Sequence, residues 1–236
     1  LQIGRIKARV IVTTDLPMQA ITAIRALDDG TKAAAEPITL LAEVAKPPRV
    51  FVGLKIASGI AQQLAAIAAA LKNESVRLVP GCDIHLTLVP PWNESGIATA
   101  AQKLQNAICG FDCFVLTFNH LRYGPSRHDP RMLWAECALS NGLASLQRAL
   151  LAAFGQSCHR PFRPHVTLAR IPKGGRAIAR KHPMDQPLSF SQPVTSVELF
   201  QSPAKAPGHY QILASLPLGT KAGNAGQESR SLPRED

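Results

Sequence analysis

The chain has 236 residues, 46% of them hydrophobic, and its 26 Lys and Arg outnumber 16 Asp and Glu to give a formal charge of +10. That is enough apolar material for a sizeable core in one large domain or two small lobes. The longest apolar run, around residues 60–71, is too short to span a bilayer and is broken by Gln62 and Gln63, so a membrane partner is excluded at this stage.

Five cysteines with no CxxC pair argue against a disulfide framework and against a four-thiolate zinc site. The amino terminus lacks the charged start, apolar core and cleavage site of a signal peptide. A reducing cytoplasm is therefore the expected compartment, and a monomer the expected state. The positive field favours polyanions, meaning RNA, DNA or phosphorylated metabolites, with a merely solubilising surface as the plain alternative.

In chain order, residues 1–48 show no clear alternation and end in "AKPP". They are read as an N-terminal extension, disordered or mis-annotated, with a short helix over "MQAITAIRALDD" and Met18 as an alternative start. From Arg49 the pattern becomes regular. "RVFVGLKI" reads as a buried strand, and "ASGIAQQLAAIAAALK" as an alanine-rich helix with Ile60, Leu64, Ile67 and Leu71 on one face and Ser58 near its N-cap. "VRLV" and "DIHLTLV" read as strands, and residues 97–108 as a helix.

A second set of elements follows. "CFVLTFNHLRY" and "RMLWAECAL" form a strand pair across the "GPSRHDP" loop, residues 141–154 a helix, and "PHVTLARI" a strand. "TSVELFQS" and "HYQILASLPL" are strands joined by the turn "PAKAPG". The expected class is α+β with mainly antiparallel sheets, the core domain covering 49–218 and a disordered polar tail 219–236.

Two strands carry the same pattern 80 residues apart: His85-Leu86-Thr87-Leu88 and His165-Val166-Thr167-Leu168. Side chains alternate faces along a strand, so each presents one imidazole and one hydroxyl on one face and two apolar groups on the other. Seven histidines and eleven threonines in this chain give only about 0.3 His-x-Thr triplets by random placement. Two histidines bonded within unrelated strands remain the plain alternative. Left unpartnered in a core, each polar group would cost roughly 1–3 kcal/mol, so a cleft is the natural place for them.

An imidazole titrates near about 6.5, so a pair of them supplies a general acid and a general base near neutral pH. Opening a phosphodiester needs both, on opposite sides of phosphorus. Threonine hydroxyls beside them can donate to the non-bridging oxygens. The residues alone give symmetrical candidates for acid and base. No metal or other cofactor is expected.

The pair "HLTL" and "HVTL" resembles the two HxTx signatures of the two-histidine (2H) phosphoesterase superfamily. Within it, the chain is most similar to the RNA 2',3'-cyclic phosphodiesterases of bacteria and archaea, also called 2'-5' RNA ligases. The likeness covers about residues 49–218 through "RVFVGLKI", "VRLVPGCDIHLTL", "RMLWAE", "RPFRPHVTLAR" and "VELFQSPAKAPGHYQILASLPL".

The resemblance implies a bilobal fold in which two related antiparallel sheet-plus-helix lobes face a central cleft. It implies RNA with a 2',3'-cyclic phosphate end, or a related nucleotide, as partner, opened to a 2'-phosphomonoester, with reversible 2'-5' ligation. It implies His85 as proton donor, His165 as proton acceptor, and Thr87 and Thr167 as phosphate-binding residues. A nucleotide- or RNA-binding module with the same fold, and a phosphodiesterase of a small cyclic-phosphate nucleotide, are the alternatives.

The chain departs from the family pattern at Val89-Pro90-Pro91-Trp92, where two prolines are expected to reshape the rim beside His85. Arg163, just before the second motif, and Trp134, placed to stack a base or to join the core, are further candidate substrate contacts. Arg170, five residues after His165, would point to the opposite face of a regular strand. The basic loop 172–183, with Lys173, Arg176, Arg180 and Lys181, reads as an RNA guide or a solvated loop. The remaining five histidines are read as structural or surface residues.

Overall fold

The computed structural model describes residues 21–23, 38–40, 46–126, 128–157, 160–172, 174–204 and 208–219. The chain divides into two compact units, Leu1–Lys46 and Pro47–Asp236. In the first, β1 (Ile21–Ala23) and β2 (Ile38–Leu40) pair antiparallel with Thr22 opposite Thr39. The short helix expected over 18–29 is thus replaced by extended chain at 21–23, in keeping with the β-branched Ile-Thr steps on both strands. Of the expected N-terminal extension, residues 46–48 are also described, the Pro48 carbonyl accepting from Glu94 N at 2.9 Å; Gly219, the first residue of the expected tail, donates to Phe111 O and accepts from Cys113 N, each at 2.9 Å, and the rest of both segments lies outside the described residues.

The second unit is α+β. One nine-stranded sheet runs in the order β11 (Gln211–Pro217), β10 (Ser196–Gln201), β3 (Arg49–Lys55), β5 (His85–Asn93), β8 (His165–Arg170), β7 (Met132–Cys137), β6 (Phe114–Gly124) and β9 (Asp185–Val194). The short β4 (Arg77–Leu78) pairs with β8 from the side. Every pairing in this sheet is antiparallel.

Helices α1 (Ser58–Ala68), α2 (Ile97–Ile108) and α3 (Asn141–Ala153) form where the apolar period is helical. The buried face of α1 centres on Ala61, Leu64 and Ala68, so Ile60 and Ile67 sit at its margin. Ala57, not Ser58, occupies the N-cap, and its N–H donates to Gln192 Oε1 at 2.9 Å. At α3 the cap is a side chain: Ser140 Oγ accepts from Leu143 N at 3.2 Å.

In this second unit sequence patterning also misses a helix and a strand. A six-residue helix, α4 (Arg176–Lys181), forms within the basic segment expected to be a loop. Strand β9 carries Pro187 and Pro193 and pairs only with β6. Proline cannot donate to a ladder and is tolerated at a sheet edge. A strand of that kind, with a mixed polar face, lacks the alternation that marks the others.

The core lies under the middle strands. Leu86, Val166, Leu168, Leu54 and Leu133 are fully excluded from solvent, each apolar side chain contributing about 1.5–3 kcal/mol by burial. Gly53, opposite Thr87 on β5, permits the close approach of β3: a Cβ there would lie 2.6 Å from the Leu86 carbonyl oxygen. The apolar positions of the two His-x-Thr strands thus anchor the core, leaving their polar positions to the other face.

Candidate active site

β5 and β8 meet through the pair Leu86 and Val166. Antiparallel pairing about that point runs His85 toward Thr167 and Thr87 toward His165. The four side chains line one small cavity of about 50 Å3, together with Val79, Arg170 and Tyr210. That is room for a phosphate group and not for a nucleotide.

Each imidazole is tied to the chain in the same way. His85 Nδ1 donates to the Asp83 carbonyl oxygen at 2.7 Å, and His165 Nδ1 donates to the Arg163 carbonyl oxygen at 2.7 Å. A carbonyl only accepts, so the proton is held on Nδ1 and Nε2 is the nitrogen left for chemistry. Arg163 therefore contributes its backbone here, while its side chain lines a separate cavity.

Aromatic rings hold both histidines. The His85 ring lies 4.7 Å from Phe51, 5.5 Å from Phe200 and 4.8 Å from Tyr210, the last edge-on. The His165 ring lies 4.2 Å from Trp134. Trp134 is 3% exposed, which favours the core alternative over base stacking: its buried ring packs against His165. Gly124 makes room for it, since a Cβ there would fall 2.2 Å from the indole.

Burial pushes both imidazoles below the usual histidine range, and the Arg170 guanidinium acts in the same direction. The carbonyl bonds oppose it, aided by the Asp83 carboxylate at His85 and by Glu136 at His165. Buried Asp83 also clamps the chain before β11, its Oδ1 accepting from Tyr210 N at 3.1 Å and its Oδ2 bonding to His209 Nδ1 at 2.9 Å.

Arg170 is the site residue that a regular strand would have turned away. Leu133 pairs with Ala169 but Trp134 with Thr167, so Leu168 is an extra residue in β8. Such a bulge shifts the alternation by one. Leu168 and Ala169 are both buried and Arg170 returns to the pocket face. Two consecutive apolar residues before an arginine were the available signal.

Pro90, Pro91 and Trp92 are not at the rim of this pocket. They lie five to seven residues along β5 from His85, roughly 17 Å or more at strand rise. Trp92 packs 4.8 Å from Phe154, and its Nε1 donates to Glu94 Oε2 at 3.0 Å. The prolines sit where the pairing of β5 with β3 shifts register, between Trp92 opposite Val50 and Val89 opposite Val52.

In the basic segment, Lys181 is paired with Glu74 at 2.7 Å, which neutralises part of its charge, and Lys173 lies outside the described residues. His120 bonds Asp185, His182 bonds Glu74 and His209 bonds Asp83, while His159 lies outside the described residues. Cys82, Asp83 and His209 bring ligand-type atoms within 4.8 Å of one another, with the His209–Asp83 bond already joining two of them. No helix among the described residues is long and apolar enough to cross a membrane.

Residues 50–202 match the family described as the 2'-5' RNA ligase superfamily. Over 133 residues the chain is 32% identical to the RNA 2',3'-cyclic phosphodiesterase of Bacillus subtilis (strain 168), covering 52% of this chain and 71% of that protein. Its fold is similar to that of TT0787 of Thermus thermophilus, with a TM-score of 0.61 and 21% identity over 73% of this chain and 99% of that one. It is also similar to apo LigT of E. coli, with a TM-score of 0.59 and 24% identity over 74% of this chain and 99% of the other.

Proposed function

Because the chain belongs to the 2'-5' RNA ligase superfamily, we propose that it opens RNA 2',3'-cyclic phosphate ends by water, leaving a 2'-phosphomonoester. The observation that carries this reading is the pair of carbonyl-tethered histidines converging on one phosphate-sized cavity. His165 takes a proton from the attacking water at Nε2, and His85 gives one to the departing 3'-oxygen from Nε2. The nucleophile enters on the His165 side of phosphorus and the leaving oxygen departs on the His85 side, as in-line displacement requires.

Thr87 and Thr167 donate to the non-bridging oxygens, and Arg170 offsets the charge that grows on them. Once phosphate binds, its charge also cancels the field by which Arg170 disfavours imidazolium. With a 5'-hydroxyl in place of water as nucleophile, the same geometry joins it to the cyclic phosphate through a 2'-5' bond, and the reverse of that step cleaves the bond. The two four-stranded halves, meeting at Leu86 and Val166, are read as the two lobes, each lending one His-x-Thr strand.

The test is turnover of an oligoribonucleotide ending in a 2',3'-cyclic phosphate, in the presence of EDTA, with identification of the product end. A 2'-phosphate is expected, with His85→Ala and His165→Ala each slower by on the order of 100-fold or more. Undiminished turnover in either variant overturns the mechanism. Tight binding without turnover by the intact protein replaces it with a binding module.

A further inference from the structure

A second cavity opens beside His165, on the side from which the nucleophile approaches. It measures about 280 Å3 and is lined by Arg122, Glu136, Leu139, Phe162 and Arg163, among others. We propose that this cavity is the subsite for the 5'-hydroxyl end of a second RNA strand, which takes the place of water in the joining direction. The proposal rests on the reading of His165 as the base.

Continuity with the catalytic pocket comes from the sheet. Glu136 is the cross-strand partner of His165, and Arg122 is that of Trp134, whose ring packs on His165. Cross-strand partners project to the same face, so Arg122, Glu136, Trp134 and His165 share one face in two adjacent rows. Arg163 adjoins His165 from the other side, with only Pro164 between them.

Size and chemistry both exceed what water needs. The volume lies near the lower end of small-ligand pockets, roughly 300 Å3, suited to a nucleoside. Phe162 and Leu139 supply an apolar floor for a base, and Leu139 is 53% exposed. Arg163 presents an exposed guanidinium. Arg122 is paired with Glu136, which cancels that carboxylate's repulsion of a phosphate, yet its buried Nε–H has no partner among the described residues. An apolar floor bordered by guanidinium groups suits a nucleotide.

The step balances without any co-reactant. The 5'-oxygen attacks phosphorus as its proton passes to His165 Nε2. The bond from phosphorus to the 3'-oxygen breaks, and that oxygen takes the proton from His85. The products are a 2'-5' phosphodiester and a free 3'-hydroxyl.

The experiment uses the full chain with two oligoribonucleotides, one ending in a 2',3'-cyclic phosphate and one bearing a 5'-hydroxyl, and counts hydrolysed and joined products together. Leu139→Asp is expected to lower the ratio of joining to hydrolysis by about tenfold, leaving hydrolysis of the first strand unchanged. Arg163→Ala, which keeps the carbonyl that holds His165, is expected to raise the KM for the 5'-hydroxyl strand. Hydrolysis without joining at saturating 5'-hydroxyl strand, or an equal fall of both products in Leu139→Asp, overturns the proposal. Absence of hydrolysis by the intact protein instead overturns the underlying reading. The cavity is then judged by anisotropy of a labelled 5'-hydroxyl strand, where binding unaffected by Leu139→Asp and Arg163→Ala rejects it.

Discussion

Leu86 lies opposite Val166 where β5 and β8 meet, and this single apolar pair brings the two His-x-Thr motifs into one pocket. Both side chains are fully buried. Because the strands run antiparallel, the motifs cross, each histidine facing the threonine of the other. The core packing of Leu86 and Val166 therefore sets the spacing of the two histidines on the opposite face of the sheet.

The roles of the two histidines can be separated by the leaving group. A substrate with sulfur in place of the 3'-oxygen departs as a thiolate and needs no proton. With it, His85→Ala is expected to recover to within about tenfold of the intact protein, while His165→Ala stays on the order of 100-fold slow. Equal rescue of both variants, read by steady-state kinetics, reverses or removes the assignment.

The pH profile should lie on the acid side of neutrality. Burial holds both imidazoles below their usual range, so the base form of His165 is already populated below about pH 6.5. The acid form of His85 is lost as pH rises through its depressed value. Hence kcat/KM should fall between neutral and mildly alkaline pH, and a profile rising steadily to pH 8 would contradict this. Stability has a matching sign: the folded state binds fewer protons than the unfolded one, so this contribution is present above the unfolded value and lost as pH falls through the histidine range.

Removing the Arg170 cation should act on rate and on titration together. Arg170→Ala is expected to lower kcat/KM by about 10- to 100-fold, through lost stabilisation of phosphate charge. In the free protein, proton NMR titration should show both imidazoles moving up, since Arg170 lowers each of them. Unmoved histidine titrations would place Arg170 outside the pocket's field.

Gly53 offers a stability test close to the site. Gly53→Ala forces a Cβ against the Leu86 carbonyl, with an expected cost of about 1–3 kcal/mol in urea unfolding. Gly59→Ala in α1, where a Cβ meets nothing within 4 Å, should leave stability unchanged or slightly raised. Similar effects for both would mean that the close approach of β3 to β5 is not as described.

Local features are legible from the residues themselves. The alternation in "HLTL" and "HVTL" separates polar from apolar faces without reference to any other strand, and the helical period of 141–154 needs only its own residues. Charge and cysteine count are equally independent of the fold. Whatever depends on pairing emerges only when the chain is folded: that Thr167 faces His85, that Trp134 supports His165 rather than a base, and that Pro90 to Trp92 lie far along β5 from the pocket. Arg170 belongs with these, because one extra residue at Leu168 reverses the face of everything after it. Strand register and bulges are set by partners distant in the chain, so the two His-x-Thr motifs could be read in advance and the residues gathered around them could not.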